Sequence, residues 1–587
     1  MDAKDSAEPK SSRANETEED NTIEIRKDRI KKLIKDNENL LLILLLGFTI
    51  IFRLYYFFKL GNQPIWWDEG DYLAIAKVWA LNLPTPEWMA HFTGMRPLFL
   101  PLLWTLFFKI GFGESLVRFF TLLLPSIGSV YVLYLLGRDM YSKKVGLAAG
   151  MMLSTYWVWN FYSFRLLTDI PAVFFGLLSF YFFWSWYEKQ GKPKGLYLSM
   201  LFGVLAFSTR FPYALVPVTS FAYLFITRKF SIFKDKTIWK AVLLALILLL
   251  PYLIYLASIN FAPLQFYFGE KAVSIKNPIQ WNLIPMSFSL LHGFWLILSI
   301  IGLVALAPLF LGFDLVWKQK DKSMNPSLLL VLWMLIHFLF YIAIIRAGND
   351  RWLLMITMSL FILGAKGMVL IYEYVKKYSK IVGIIIALII LLGGAYQNIA
   401  HSVDLIEGKK TSYIAVREAG LWLRENTPQN ARIITPSIVQ NQYYSERDSY
   451  DLFYNNSLLP EGCMDLYGAT VVNDSCQKAS EELFNEKVAV VKPDYYVISV
   501  YEPVFTPQWA YSYPQRNNLA FINAFFQPEN QQQAVLVIYK FPEDFIPVAP
   551  GESMEVINAP DTANSTKRGS TSSTANSTSS NISNFTK

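Results

Sequence analysis

The chain is poor in the side chains that metal centres and disulfide scaffolds require. It has two cysteines and four histidines in 587 residues, and the histidines are scattered over positions 91, 292, 337 and 401. This spacing excludes a zinc site of the Cys/His type. The sequence also lacks a Gly-x-Gly-x-x-Gly turn after a strand and a P-loop, so it offers no nucleotide-binding motif.

Charged residues are scarce as well, whereas apolar residues are abundant. Asp, Glu, Lys and Arg make up 17% of the chain, apolar residues 53% and aromatic residues 16%. The mean hydropathy is positive, at +0.29. This composition indicates an integral membrane protein rather than a soluble enzyme.

Apolar runs recur between positions 40 and 400, and a membrane span needs about 20 such residues. The run 98–110 is too short to cross, so an interfacial or re-entrant segment is expected there. We predict an all-helical bundle of eleven spans, near 40–59, 115–137, 144–162, 170–187, 195–209, 212–227, 241–260, 286–312, 327–345, 352–370 and 381–400.

Lysine and arginine are concentrated in alternate connectors. With a cytoplasmic N-terminus, the inner connectors carry 17 Lys and Arg, as the positive-inside rule requires. An odd number of spans then places the region after position 401 outside the cytoplasm. We expect a multi-pass protein of the cell membrane, or of the endoplasmic reticulum membrane in a eukaryote.

Composition divides the chain into four parts. Residues 1–39 are predicted to be a cytoplasmic tail with a basic amphipathic juxtamembrane helix at Ile23–Lys35. The membrane module covers 40–400 and includes a first outer loop at 60–114. An extracytoplasmic α/β domain is expected at 401–549, followed by a disordered Ser/Thr/Asn-rich tail at 550–587 that holds four Asn-x-Ser/Thr sequons.

The outer domain shows mixed periodicity. A helix is predicted over 411–426, and Cys463 and Cys476, 13 residues apart, favour one disulfide in an oxidising compartment over two unpaired thiols. Short β-branched runs predict strands at Ala431–Ile434, Val488–Val491, Tyr495–Val500 and Ala534–Tyr539.

Three carboxylates follow the first span within four residues, Asp68, Glu69 and Asp71. Acidic side chains are costly to place so close to a bilayer, which favours a catalytic carboxylate over a merely solvated loop. Such a trio is also a set of ligands for a divalent cation, so a metal requirement stays open.

Further charges fall on the same predicted face of the membrane. Each of them alone has a simpler explanation, because arginines snorkel to headgroups or pair with nearby acids. Together they predict a polar crevice assembled from distant turns. The set is Arg96, Arg118, Arg165, Asp169, Arg210, Arg346, Asp350 and Arg351.

These residue types suit one chemistry in particular. Arginine forks bind the oxygens of a lipid-linked phosphate, and a carboxylate accepts the proton of a hydroxyl that attacks a sugar carbon. A phosphate leaving group needs no general acid, because arginines stabilise its developing charge. Outside the cytoplasm nucleotide sugars are not supplied, so the sugar has to arrive on a lipid carrier.

The order of these motifs resembles the GT-C glycosyltransferases, in the branch of the protein O-mannosyltransferases and lipid A aminoarabinose transferases. The shared elements are an Asp-Glu pair followed by Tyr72, the string RPLFLPLLW, the stretch from ESLVRFF to FRLLTDIP, and DRWLLM. The resemblance covers most of residues 40–400. It implies a GT-C type helical bundle with a small extracytoplasmic domain, and a hexosyltransferase that uses dolichyl or another polyprenyl phosphate.

The resemblance also implies roles for individual residues. Asp68 matches the base and Glu69 its support. Arg351 is implied to bind the carrier phosphate together with Arg118 or Arg165. Acceptor or supporting roles are expected for Asp71, Tyr72, Arg96 and Asp169.

We therefore predict an inverting glycosyltransferase, such as a mannosyltransferase for protein glycosylation, whose acceptor is a protein, a lipid or a glycan. Two other classes are a flippase for lipid-linked glycans and a non-catalytic scaffold whose outer domain binds glycans. WWDEG also matches the WWDxG motif of oligosaccharyltransferases, although in that family the motif lies in the C-terminal soluble domain and here it precedes position 75.

Overall fold

The computed structural model describes residues 37–61, 63–263, 277–318, 320–452, 459–460, 463, 473–503, 506–528 and 530–550. Within these ranges, eight helices are long and apolar enough to span a membrane, and a five-stranded sheet lies towards the C-terminus. The predicted helical bundle followed by a small α/β domain is therefore confirmed. The predicted juxtamembrane helix and the tail sequons lie outside the described residues.

The N-terminal half of the bundle contains the first outer loop, which folds into three helices, α2 to α4. A π-helical turn at Phe119–Leu123 joins α5 to α6 and makes them one continuous span. The helices are α1 (Asn37–Leu60), α2 (Trp67–Leu81), α3 (Glu87–Met95), α4 (Phe99–Lys109), α5 (Glu114–Arg118), α6 (Leu124–Met140), α7 (Lys143–Thr155), α8 (Trp157–Tyr162), α9 (Asp169–Tyr187), α10 (Lys194–Thr209), α11 (Leu215–Arg228) and α12 (Lys236–Ser258).

The second half of the bundle ends in its two longest apolar helices, and the last of them continues into the outer domain. A π-helical turn at Phe340–Ile345 extends α17. The helices are α13 (Leu283–Ser289), α14 (Gly293–Val304), α15 (Ala307–Leu311), α16 (Phe313–Trp317), α17 (Asn325–Leu339), α18 (Leu354–Val375) and α19 (Lys380–Gly408).

Helix length supports eight of the eleven predicted spans. The other three fall on shorter or broken helices. The span predicted at 144–162 is divided into α7 and α8 at Tyr156, whose backbone is extended, and the remaining two correspond to α10 and α11. The count of eleven thus stays a prediction. The run 98–110 forms α4, which has 11 residues.

The outer domain is a mixed sheet in the order β2-β1-β3-β5-β4. Strand β1 pairs in parallel with β2 and β3, whereas β5 is antiparallel to β3 and β4. Its elements are α20 (Ile414–Asn426), β1 (Arg432–Ile434), α21 (Ile438–Ser445), β2 (Asp448–Tyr450), α22 (Asp474–Val491), β3 (Tyr495–Ser499), α23 (Trp509–Arg516), β4 (Ala520–Gln527) and β5 (Asn530–Lys540).

The two faces of this sheet are covered differently. Apolar residues of α20, such as Leu423, pack with Ile433 and Val497 on one face. Phe484 and Val488 of α22 pack with Tyr496 on the other face. The strand predicted at Val488–Val491 is wrong, because this segment is the last turn of α22 and buries residues at helical spacing. Cys463 and Cys476 form the predicted disulfide.

The outer domain contacts the first outer loop through α21. The hydroxyl of Tyr444 accepts the amide N–H of Ile65 at 2.9 Å. Lys77 of α2 lies 2.7 Å from the carboxylate of Glu446 and donates to the carbonyl of Tyr443 at 2.9 Å. These contacts fix α2 between the bundle and the outer domain.

Candidate active site

Helix α2 begins at the acid trio, and its first turn is fixed by Glu69. The carboxylate of Glu69 accepts the N–H groups of Trp66 at 2.7 Å and Leu166 at 2.5 Å. Carboxylates are favoured in the first turn because they satisfy free N–H groups and the helix dipole. Glu69 is 1% exposed, so it ties α2 to the connector before α9 and positions its neighbour Asp68.

Arg165 completes this connection. Its guanidinium lies 3.4 Å from Glu69, 3.8 Å from the ring centroid of Trp66, and donates to the carbonyls of Pro64 and Lys409 at 3.2 and 3.3 Å. Burial lowers the pKa of Arg165 to about 10. Because the Arg165 guanidinium donates to Glu69, Pro64 and Lys409, its N–H groups are directed at the protein and not at a ligand site.

Arg118 is held in a similar way. It is 3% exposed, lies 2.6 Å from the carboxylate of Glu114 and donates to the carbonyl of Gly61 at 3.1 Å. Neither Arg118 nor Arg165 belongs to the described residues that line the cavity beside Asp68.

Asp68 faces two other arginines. Its carboxylate forms an ion pair with Arg351 and lies 3.7 Å from Arg96. Burial disfavours the charged form, but the two guanidinium groups outweigh burial and hold the pKa of Asp68 below its usual value. Asp68 is therefore an ionised carboxylate at neutral pH.

Asp71, one helical turn later, has the opposite character. Its side chain is fully buried and lies 2.6 Å from Arg96, whose guanidinium also donates to the hydroxyl of Tyr72 at 3.3 Å. Burial, opposed by Arg96, raises the pKa of Asp71 to about 8. Arg96 thus lies between one ionised and one largely protonated carboxyl group.

A cavity of roughly 360 Å³ lies in front of Asp68. Three arginines and two aspartates line it: Arg96, Arg210, Arg351, Asp68 and Asp169. Arg210 lies 3.0 Å from Asp169. The remaining wall is largely apolar and includes Phe92, Met95, Phe211, Ile345 and Trp352. We refer to this space as the arginine cavity.

A second cavity, of roughly 410 Å³, lies on the other side of Asp68 and Arg351. It is lined by residues from the first loop, the end of α8 and the connector that follows it, the connector before α18 and the start of the outer domain. Asp68 and Arg351 each line both cavities. We refer to this space as the outer cavity, and its other lining residues are Trp66, Trp67, Tyr162, Leu167, Asn349, Lys409, Ser412 and Tyr413.

The structure brings together most of the residues that the sequence suggests. Asp68, Tyr72, Arg96, Asp169 and Arg351 line the arginine cavity, and Asp71 lies behind it against Arg96. Arg210 belongs to the predicted outer charge set, but the sequence indicates no specific role for it. Asn349 and Tyr413 line the outer cavity, but the sequence does not indicate this, because their position depends on how the outer domain packs on the bundle.

The carboxylate trio does not converge on one point. Glu69 faces Arg165, Asp71 faces Arg96, and Asp68 faces Arg351. Among the described residues, no group of three or more His, Cys, Asp or Glu side chains is arranged to hold a metal ion. The three carboxylates are therefore not arranged as a shared set of ligands for a divalent cation.

Comparisons with known proteins agree with this architecture. Residues 95–255 match the family model of the dolichyl-phosphate-mannose-protein mannosyltransferases, a range that includes Arg96, Asp169 and Arg210 but not the acid trio. No curated protein matches the chain.

Solved structures share the fold. ArnT from Cupriavidus metallidurans, bound to undecaprenyl phosphate, is 13% identical with a TM-score of 0.54, over 85% of this chain and 97% of that chain. The oligosaccharyltransferase AglB from Archaeoglobus fulgidus, in complex with an inhibitory peptide and a dolichol-phosphate, is 14% identical with a TM-score of 0.51, over 78% of this chain and 69% of that chain.

This chain has the GT-C fold. The expected likeness of this GT-C protein to protein mannosyltransferases and aminoarabinose transferases is confirmed. Its WWDEG string lies at the start of α2, in the first outer loop, and not in the C-terminal sheet domain.

Proposed function

We propose that this GT-C protein is an inverting glycosyltransferase that moves a sugar from a polyprenyl phosphate, such as dolichyl phosphate, to an acceptor outside the cytoplasm. One observation carries the proposal. Asp68 and Arg351 form an ion pair at the junction of two cavities. This arrangement suits a reaction with two substrates, because a carboxylate and a guanidinium group both lie between the two binding spaces and can orient the reactants.

The arginine cavity suits the donor. Its guanidinium groups match phosphate oxygens in charge and geometry, while Phe211, Ile345 and Trp352 offer apolar surface to a lipid chain. The likeness to ArnT bound to undecaprenyl phosphate and AglB bound to a dolichol-phosphate supports a carrier of this class. Arg351, Arg210 and Arg96 are the proposed phosphate ligands.

Arg118 and Arg165 receive a different role in this proposal. Their guanidinium groups are engaged by Glu114 and Glu69 and by backbone carbonyls. They support the loop that carries Asp68, so we assign them to positioning. Asp169 orients Arg210.

The outer cavity suits the acceptor. It opens between the first loop and the outer domain and offers indole rings with polar groups from Asn349, Ser412 and Tyr413. Such a mixture binds a hydroxyl-bearing chain or glycan through stacking and hydrogen bonds. The acceptor oxygen would then lie beside Asp68.

The reaction balances with these residues. The acceptor hydroxyl oxygen attacks the anomeric carbon of the sugar and its proton passes to Asp68. The bond between that carbon and the phosphate oxygen breaks, and the phosphate leaves with the electron pair. Arg351, Arg210 and Arg96 stabilise the developing charge. One displacement inverts the configuration of the carbon.

The ion pair also explains how Asp68 gains basicity. The two arginines hold the pKa of Asp68 low, which makes the resting carboxylate a weak base. A donor phosphate competes for Arg351 and Arg96. Its binding weakens their hold on Asp68, and the pKa of the carboxylate rises towards the working range of a general base.

Transfer of labelled sugar tests the proposal. Purified protein in liposomes would receive a radiolabelled polyprenyl-phosphate hexose and an extract of extracytoplasmic acceptors. Asp68→Asn should lower transfer by about 10²–10⁴-fold, the usual worth of a positioned base. Asp404→Asn, at an exposed position of α19, is the matched control and should transfer normally.

Two outcomes would overturn the proposal. One is transfer at the wild-type rate by Asp68→Asn protein that has inserted normally. The other is movement of the intact carrier across the vesicle without cleavage of the sugar–phosphate bond, which would indicate a flippase.

A further inference from the structure

A second concave surface lies at the opposite end of the bundle from Asp68. Helix α18 begins three residues after Arg351, and α1 ends eight residues before Asp68. The concave surface instead involves the other ends of these helices, Leu41–Phe48 of α1 and Met368–Tyr372 of α18, together with parts of α7 and α19. It encloses roughly 490 Å³, within the range of about 300–1,000 Å³ that ligand sites occupy. We call it the distal groove.

The walls of the distal groove are almost entirely apolar. Its floor contains Leu45 and Ala148, which are buried, and its rim contains Leu44 and Leu388, which are about half exposed. A cleft of this depth between four helices accepts a chain, whereas a convex helix surface offers a lipid only lateral contact. The described lining has one charged residue, Lys144.

The mouth of the groove is cationic and aromatic. The ammonium group of Lys144 lies 4.7 Å from the ring centroid of Tyr372 and 3.3 Å from Glu373. Lys376 shares Glu373 at 3.3 Å, and Lys143 lies 3.6 Å from Glu38. Three lysines therefore face two glutamates.

These ion pairs are weak enough to yield to a ligand. Each of the three lysine side chains is 41–46% exposed, and ion pairs that exposed contribute little to stability. A phosphate at the mouth would meet a surplus of positive charge. Basic sites between transmembrane helices bind anionic lipid headgroups for this reason.

We propose that the distal groove binds an anionic phospholipid of the leaflet opposite the arginine cavity, with an acyl chain along the groove and the phosphate at Lys144, Lys143 and Lys376. The apolar volume argues against a free phosphate ion, and the lysines argue against a neutral lipid. The site does not depend on the transfer reaction proposed above.

Lipid binding to the purified full-length protein tests the site. Native mass spectrometry would count phosphatidylglycerol and phosphatidylcholine bound at equal concentrations. Phosphatidylglycerol should be preferred. Lys144→Gln should weaken its binding by about fivefold, because this is the usual contribution of one lysine near an anionic headgroup. Leu388→Trp narrows the groove at an exposed position and should reduce binding of both lipids.

Lys318→Gln is the matched control. Lys318 is also an exposed lysine at the end of a helix, paired with a carboxylate of the same turn, but it lies outside the groove. It should leave phosphatidylglycerol binding unchanged. Equal binding of the two lipids, or a loss in Lys318→Gln as large as that in Lys144→Gln, would each overturn the proposal.

Discussion

At the scale of single residues, the site depends on two carboxyl groups one helical turn apart. Asp68 is held ionised by Arg351 and Arg96, whereas burial keeps Asp71 largely protonated, with a pKa of about 8. In the proposed mechanism Asp68 accepts the proton of the acceptor hydroxyl, and Asp71 holds Arg96.

Arg210 and Arg165 differ in whether they face the arginine cavity, which gives a first prediction. Arg210→Gln should raise the KM for the donor about 10- to 100-fold, because a hydrogen bond to a charged group contributes about 1.5–3 kcal/mol. Arg165→Gln leaves Glu69 buried without its cation and should lower stability by about 3–5 kcal/mol. Donor titrations and thermal melting in detergent measure the two effects.

The same pair of variants can contradict this assignment. An unchanged donor KM in Arg210→Gln would show that the guanidinium does not bind the phosphate. A raised donor KM in Arg165→Gln with an unchanged melting temperature would restore Arg165 as a phosphate ligand.

Glu502 gives a second prediction, on pH. Burial raises the pKa of Glu502 to about 7, although the neighbouring Tyr413 hydroxyl lowers it. Because the folded state retains this proton longer than the unfolded chain does, the contribution of Glu502 to stability is greatest below about pH 4.5 and falls by about 3 kcal/mol as the pH rises to 7. Glu502→Gln should remove this fall. Melting temperatures between pH 4.5 and 8 measure it.

Glu425→Gln, at an exposed position of α20, is the control and should retain the pH dependence of the wild type. A wild-type pH dependence in Glu502→Gln would show that other groups cause it.

At the scale of elements, apolar periodicity predicts helices better than strands. The segment predicted as a strand at Val488–Val491 is helical because Phe484, Val488 and Val491 share one buried helix face. Strands β2 and β4 have no clear pattern, since β2 has three residues and β4 is an edge strand with outward-facing side chains. Strand pairing joins distant segments, and a local pattern carries little information about it.

Close packing of α14 on α18 gives a third prediction. A Cβ atom at Gly302 would lie 2.2 Å from the carbonyl oxygen of Leu363. Small residues permit such approaches between membrane helices. Gly302→Ala should therefore cost about 1–3 kcal/mol, as overpacking does, and lower the melting temperature.

Gly47 of α1 is the matched control. A Cβ atom there meets nothing within 4 Å, and alanine is the better helix former. Gly47→Ala should leave the melting temperature unchanged or raise it slightly. Equal losses in both variants would show that the contact with Leu363 is not the cause.

At the scale of the whole molecule, the sequence predicts that charged residues from distant turns lie on one face of the bundle. It does not predict which of these residues line the same cavity. The sequence places Asp68, Arg96, Asp169 and Arg351 on one membrane face, and these residues line one cavity. The sequence does not show that Arg210 lines the cavity and that Arg118 does not, because the rotation of each helix about its axis decides which arginine faces the cavity. This rotation is set by packing between helices. Because a membrane helix is apolar both where it faces lipid and where it faces protein, its sequence does not reveal the rotation.

The junction between α2 and the outer domain gives the last prediction. A Cβ atom at Gly70 would lie 2.8 Å from the Cγ2 atom of Val439, so Gly70→Ala should push α21 away from the helix that carries Asp68. A displacement approaching 1 Å costs up to about 10²-fold in rate. Val439→Ala removes the obstructing methyl groups, and the double variant should recover most of the transfer activity. If instead the losses of transfer activity in Gly70→Ala and Val439→Ala add up in the double variant, the contact between these residues does not position Asp68, because additivity is expected of independent sites.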